Sequence, residues 1–309
     1  MSAALVIPEL VRQRATANGT AGRRWLQELP EVVAELARRW GLTIGEPFRG
    51  GTASFVVSAI DGSRRERVLK VAMPLEIEGE GAFARSVVAH QLAAGRSCVQ
   101  LIDHDASVPA MLLERLGPNV HELGMPIPQV LETIAATLRT FWQPVEVDCG
   151  LPSGAEQARW LADHIPTTWE ELGRPCERKV IDEAVAHCAE RAAAFDPAQA
   201  VLVHGDAHGW NTLDAGSGTW KLVDPEGLRS ERAHDLGVPM REYNKPLLDG
   251  DTPRLVRERA ELLAGRCEVD PEAVWQWGFI ERVSTGLAGL RELEGGGGMA
   301  FLEVARRCT

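Results

Sequence analysis

Apolar residues recur at three- and four-residue spacing between Arg23 and Trp40, at Trp25, Leu26, Leu29, Val32, Val33, Leu36 and Trp40. That spacing predicts an amphipathic helix, and Gly41 is placed to stop it. Ahead of it, Leu5-Val6-Ile7 and a polar stretch ending at Gly19 read as an arm or a frayed helix. Short apolar runs then predict strands at Leu42–Ile44, Phe55–Val57, Val68–Ala72, Cys98–Ile102 and Ala110–Leu113, with a helical stretch over Ala82–Ala94 and a polar turn over Asp103–Pro109. Gly117-Pro118 breaks the pattern. Beyond it the chain turns helical over Val130–Trp142, Ala155–Leu172 and Lys179–Phe195, and again over Arg254–Gly265, Pro271–Leu293 and Met299–Arg307, with the run Gly295–Gly298 between the last two.

One polar stretch interrupts the helical half. His204-Gly205-Asp206-Ala207-His208-Gly209-Trp210-Asn211 follows the apolar run Val201–Val203, and Asp224-Pro225-Glu226-Gly227 follows a second run, Leu222-Val223. Two strand-like pieces flanking a polar loop deliver Asp206, Asn211 and Asp224 to one end. Magnesium is a hard ion, usually held by one or two carboxylates plus substrate phosphates. A further carboxylate, free of metal, can orient a hydroxyl and accept its proton. Two acids and an amide oxygen therefore point to magnesium-assisted phosphoryl transfer.

Composition narrows the partners. The chain has 309 residues, enough for a large core, with 45% apolar and 25% charged residues, ordinary values for a soluble globular protein. Its formal charge of -11 argues against a nucleic-acid partner and suits a cationic substrate, although solubility alone accounts for it equally well. Cys98, Cys149, Cys176, Cys188, Cys267 and Cys308 form no C-x-x-C pair and read as reduced packing residues. No apolar run reaches the roughly 18 residues of a membrane span, and the start lacks a signal-peptide pattern, so no membrane partner and a cytoplasmic location are expected.

The octet, together with Gly22-Arg23-Arg24-Trp25, Leu69-Lys70-Val71-Ala72-Met73-Pro74, Leu101-Ile102-Asp103-His104-Asp105 and Met111-Leu112-Leu113-Glu114-Arg115-Leu116 in that order, resembles the aminoglycoside phosphotransferase family. The resemblance is to the streptomycin 6-phosphotransferase and hydroxyurea phosphotransferase type. It implies an α+β, two-lobed, protein-kinase-like fold: a small β-rich nucleotide-binding lobe over 1–113 with its leading helix, a hinge over 114–118, and a larger, mainly helical catalytic and substrate-binding lobe over 119–309. It further implies ATP and Mg2+ as cofactors, Asp206 as catalytic base, Asn211 and Asp224 as metal ligands, and Lys70 on the ATP phosphates. Gly51 and Ser54 of a glycine-containing loop would cover those phosphates. A glutamate, taken as Glu80 over Glu76 and Glu78, would steady Lys70, and the backbone at Glu114 and Leu116 would bind adenine. His204, His208 and Asp235 would support the catalytic loop.

The residues alone leave alternatives open. Phe48–Ser54 reads as an ordinary hairpin turn, Lys70 as an edge-strand lysine, and His204, His208 and His234 as a zinc set. Trp160 and Trp169 suit either core packing or stacking on a substrate, and Glu242 and Glu281 add acid where a cationic acceptor belongs. Glu226 and Trp210 depart from the family pattern, Glu226 as a further metal ligand or ion-pair partner and Trp210 as a bulky neighbour of Asn211 that reshapes the acceptor pocket. The expected reaction is phosphorylation of a hydroxyl on a small cationic molecule, first a streptomycin-type aminoglycoside. An amino sugar, a peptide antibiotic or hydroxyurea is the alternative acceptor, and a catalytically silent binding module is the rival of a different class. Oligomeric state is not legible.

Overall fold

The computed structural model describes residues 5–48, 53–74, 81–292 and 297–309. The chain divides into two compact units, Met1–Leu116 and Gly117–Thr309. In the first, α1 (Glu9–Ala17) and α2 (Gly19–Trp40) precede strands β1 (Thr43–Pro47), β2 (Ser54–Ile60) and β3 (Glu66–Ala72), helix α3 (Ala82–Ala93), and strands β4 (Leu101–Asp105) and β5 (Ala110–Glu114). The five strands form one antiparallel sheet in the order β1-β2-β3-β5-β4.

The three- and four-residue stripe of α2 does what its spacing predicts. Leu29, Val33 and Leu36 are buried with Val11 and Ala15 of α1 against Phe55, Val57, Leu69 and Val71 of the sheet. Helix α2 ends at Gly41, in a left-handed conformation at φ 63. Of the arm or frayed helix expected before Gly19, the helix forms as α1, because Val11 and Ala15 bury into that core. Strand alternation sends Leu69 and Val71 to the helix side and Lys70 to the other face. Register puts Ser54, Val56, Ala72 and Met111 on the same face as Lys70.

The fourth strand starts and ends three residues later than its apolar run suggests. Asp105 Oδ1 accepts hydrogen bonds from Ser107 N at 2.8 Å, Ser107 Oγ at 2.6 Å and Val108 N at 3.3 Å. This side-chain turn moves the reversal to Ala106–Pro109, and Arg39 of α2 pairs with the same carboxylate. The Ser107 hydroxyl, opposed by burial and aided by the backbone donors and Arg39, holds the Asp105 carboxyl down at about 2.

The second unit contains α4 (Ile127–Phe141), α5 (Gly154–Glu171), α6 (Arg178–Ala194), β6 (Val201–Val203), β7 (Thr212–Gly216), β8 (Thr219–Leu222), β9 (Leu228–Ser230), α7 (Arg232–Met240), α8 (Asn244–Asp249), α9 (Thr252–Cys267), α10 (Pro271–Glu292) and α11 (Met299–Arg307). Helix α5 starts at a capping box in which Ser153 and Glu156 satisfy each other's backbone N–H groups. Helix α10 packs against α5, α6, α7, α9 and α11, and its Trp277 is buried. The loop-flanking strands differ from the sequence reading: β6 pairs with β9, and a separate hairpin, β7–β8, grows from Asn211. Among the described residues no helix is long and apolar enough to cross a membrane, and the six cysteines form no disulfide.

Candidate active site

Strand β6 is buried along its length, so the chain leaving it at His204 starts from a fixed point. The next two backbone N–H groups, those of His204 and Gly205, point at one buried carboxylate. Asp235, in the first turn of α7, accepts from them at 2.9 and 2.7 Å and from Trp142 Nε1 at 2.8 Å. Burial raises Asp235 to about 6 against these three donors. Gly205 has φ +85, and a Cβ there would lie 3.1 Å from Cβ of Glu226, so the sharp turn into Asp206 requires glycine.

From this anchor the loop is tied by its own side chains. His204 Nδ1 accepts the N–H of Asp206 at 3.2 Å, and His208 Nδ1 accepts that of Trp210 at 3.2 Å. With Nδ1 accepting from Trp210, Nε2 of His208 is left to face Asp206 Oδ2, at 3.2 Å. Asn211 Nδ2 donates to both the carbonyl and Oδ2 of Asp206, each at 3.0 Å. The Asp224 segment is stitched across the same loop, Val223 N to Asn211 O at 3.0 Å and Glu226 N to His204 O at 2.9 Å, with Asp224 in a left-handed conformation at φ 61. Asp206 and Asn211 are thus in contact, and the backbone places Asp224 beside Asn211.

The other oxygen of Asp206 meets a residue absent from the sequence reading. Arg241, just past α7, reaches Oδ1 with Nη2 at 2.5 Å and Glu281 Oε2 with Nη1 at 2.6 Å. The Asp206 side chain remains 26% exposed, whereas Arg241 and Glu281 are 16% and 12% exposed. Burial by itself raises the Asp206 carboxyl; His208 and Arg241 outweigh it and hold the acid well below the ordinary carboxylate range. Glu281 and Glu242 are both engaged inside this network. Glu281 is spent on Arg241, and Glu242 accepts the N–H of Gly209 at 3.1 Å. Their signal in the sequence was charge alone, which does not distinguish an acid open to a ligand from one paired inside.

The other expected site residues separate in the same way. Trp210 is 58% exposed, and its ring lies 4.6 Å from that of His121, which continues to Tyr243 at 5.7 Å. Glu226 is exposed near Gly205. Trp169 is core, its Nε1 on Cys176 O at 3.0 Å, while Trp160 is 49% exposed and stacked on His164 at 4.5 Å. In the first unit Lys70 is half-buried and Ser54 buried on a shared sheet face, and Glu114 gives its N–H to Gln100 O at 3.0 Å, ahead of buried Leu116. Gly51, Glu76, Glu78 and Glu80 lie outside the described residues.

No group of three His, Cys, Asp or Glu converges on a metal position among the described residues. The zinc set in particular does not form: His234 is stacked on Trp277 at 3.9 Å, and burial pushes it down to about 3. Asn211 is different. Its amide nitrogen is committed to Asp206, which leaves the amide oxygen as a hard donor beside the Asp224 segment, a set that fits magnesium held jointly with phosphate oxygens.

A strand-fed catalytic-type loop, braced by an acid on the following helix, occurs here within a kinase-like fold. The chain is similar to the choline kinase LicA of Streptococcus pneumoniae, with a TM-score of 0.64 and 11% identity over 91% of this chain and 99% of that one. It is also similar to an aminoglycoside phosphotransferase, APH(3'')-Id, of Streptomyces rimosus, with a TM-score of 0.52 and 15% identity over 82% and 98%. The particular family follows from sequence: the chain belongs to the aminoglycoside/hydroxyurea antibiotic resistance kinases, whose family profile matches residues 39–296. It is 31% identical over 280 residues to the hydroxyurea phosphotransferase of Kitasatospora aureofaciens, covering 90% of this chain and 78% of that protein. It is 27% identical over 275 residues to the streptomycin 6-kinase of Streptomyces glaucescens, covering 88% and 87%. It is a phosphotransferase acting on hydroxyl groups.

Proposed function

We propose that this phosphotransferase moves the terminal phosphoryl group of ATP to a hydroxyl of a small cationic molecule, with a streptomycin-type aminoglycoside as first acceptor. The observation that carries the reading is Asp206: an ionised, partly exposed carboxylate held in one orientation by Arg241, Asn211 and His208. Such a group orients an acceptor O–H and receives its proton as the acceptor oxygen bonds to phosphorus and the bond to ADP breaks. Its acidity makes it a weak base toward a ground-state alcohol, which suits a transfer in which the proton leaves late and most of the gain comes from positioning, on the order of 7–11 kcal/mol.

Asn211 and Asp224 would hold magnesium, and Lys70 would contact the phosphates. Magnesium, when bound, neutralises charge on the phosphate oxygens as the phosphoryl group moves. Asp235 fixes the start of the loop, and His204 and His208 fix its shape through backbone hydrogen bonds. Trp210, exposed beside Asn211 and backed by His121, would offer a face on which a planar cationic group stacks. ATP as donor implies a cytoplasmic site of action.

Hydroxyurea is the second acceptor, favoured by the 31% identity to a hydroxyurea phosphotransferase. ADP release with magnesium ATP, measured against streptomycin, hydroxyurea, a cyclic peptide antibiotic and amino sugars, tests these readings. Turnover with streptomycin that disappears in Asp206→Ala supports the first. Turnover with hydroxyurea alone keeps the mechanism and replaces the acceptor. Binding of ATP and acceptor without product identifies a silent module.

A further inference from the structure

Arg241 has a geometry that packing alone does not explain. Its two terminal nitrogens serve two different carboxylates, Asp206 on one side and Glu281 of α10 on the other, at 2.5 and 2.6 Å. Both directions of the guanidinium plane are therefore set, one by the reactive loop and one by a buried helix. Its backbone is pinned as well. Met240 O accepts from Arg259 Nη1 at 3.1 Å and from Arg282, and Glu242 O accepts from Arg259 at 2.6 Å. Arg241 thus links the Asp206 carboxylate to a part of the fold that is remote from the loop in sequence.

The partners of Asp206 divide unevenly between its oxygens. Oδ2 faces Asn211 Nδ2 and His208 Nε2, while Oδ1 faces only Arg241 among the described side chains. A carboxylate offers about four lone-pair directions, two on each oxygen. Three are taken, and the fourth is on Oδ1, next to the guanidinium.

Building on the phosphotransfer reading above, we infer that Arg241 is a positioning residue for the reaction: held by Glu281, it fixes the plane of the Asp206 carboxylate so that Oδ1 presents its remaining lone pair to the acceptor hydroxyl. Arg241 takes no proton and touches no phosphate in this role. It acts through Asp206, so its loss misplaces the base while binding of both substrates persists.

The test compares wild type, Asp206→Ala and the double variant Arg241→Gln/Glu281→Gln, which removes both charges together and avoids stranding a buried acid. With magnesium ATP and the acceptor found in the panel above, the double variant should lose about 100-fold in kcat, the cost of displacing a reacting group by about 1 Å. Its KM values for ATP and acceptor and its melting temperature should stay near wild type. In Arg241→Ala, millimolar guanidinium chloride should restore part of the lost turnover while leaving wild type unchanged. A folded double variant with wild-type kcat, or one whose loss lies in the KM for ATP, overturns the assignment while Asp206→Ala still upholds the phosphotransfer reading. A wild-type chain that makes no product and releases no ADP with any acceptor overturns both.

Discussion

The loop from His204 to Asn211 and the link from Met240 to Asn244 meet at Asp206 and Gly209, yet they are held by opposite means. Loop side chains mostly satisfy backbone groups two to five residues away: His204 takes the N–H of Asp206, His208 that of Trp210, and Asn211 reaches back to Asp206. Distant residues hold the link, with Arg259 and Arg282 on its carbonyls and Glu281 on Arg241. A site of this kind needs both. Local bonds give the loop its shape, and remote ion pairs tell it which way to face.

Removing the group at the junction should have the largest effect. Asp206→Ala should lower kcat by about 10³- to 10⁴-fold, roughly 4–5.5 kcal/mol of barrier, while the chain stays folded, as read by steady-state kinetics beside a melting curve. Next comes the tie between the loop and α7. Asp235→Ala strands three buried N–H groups and should cost about 3–4 kcal/mol of stability in urea unfolding; a loss below about 1 kcal/mol would mean that these donors find other partners. On the link side, Arg259→Leu takes the donor from Glu242 O and one of two donors from Met240 O, and should cost about 1–3 kcal/mol in the same measurement.

Gly209→Ala sharpens the comparison where the two regions touch. A Cβ there would sit 2.3 Å from His121 Nε2, a ring already packed against Trp210 and Tyr243. Overpacking should cost about 1–2 kcal/mol, with acceptor KM rising more than ATP KM. An unchanged KM for acceptor would detach the His121–Trp210 pair from acceptor binding. The smallest effect is a pH dependence. His234, buried under Trp277, is pushed down to about 3 when folded, from an ordinary 6.5. It stays neutral in the fold while the unfolded chain binds a proton, so its stabilising contribution is present above pH 6.5 and lost as pH falls toward 3. The stability difference between wild type and His234→Phe should shift against wild type by about 1.4 kcal/mol per pH unit between 6 and 5, and a flat difference would show His234 protonated inside the fold.

The same contrast explains what is legible in the sequence alone. The α2 stripe, the strand at Lys70 and the helices beyond Gly117 follow from period and punctuation, because each is encoded within one segment. Asp206 and Asn211 lie five positions apart, so their proximity was readable; the β7–β8 hairpin was not, since Asp214-Ala215-Gly216-Ser217-Gly218 reads as loop and its pairing depends on a turn. The β6–β9 pair is short and joins segments 27 residues apart in Val201 and Leu228 numbering. Arg241 gave no local signal at all, because both of its acids lie at least 35 residues away. Glu242 and Glu281 were visible only as charge, and their pairing with His121 and Arg241 carried no local signal.

The central claim is that Asp206 directs an acceptor hydroxyl to the terminal phosphorus of ATP. Mass analysis of streptomycin incubated with magnesium ATP and either wild type or folded Asp206→Ala tests it most directly. The account predicts streptomycin carrying one added phosphoryl group from wild type, with only a trace from the variant in the same time. Equal amounts of phosphorylated streptomycin from both proteins would contradict it.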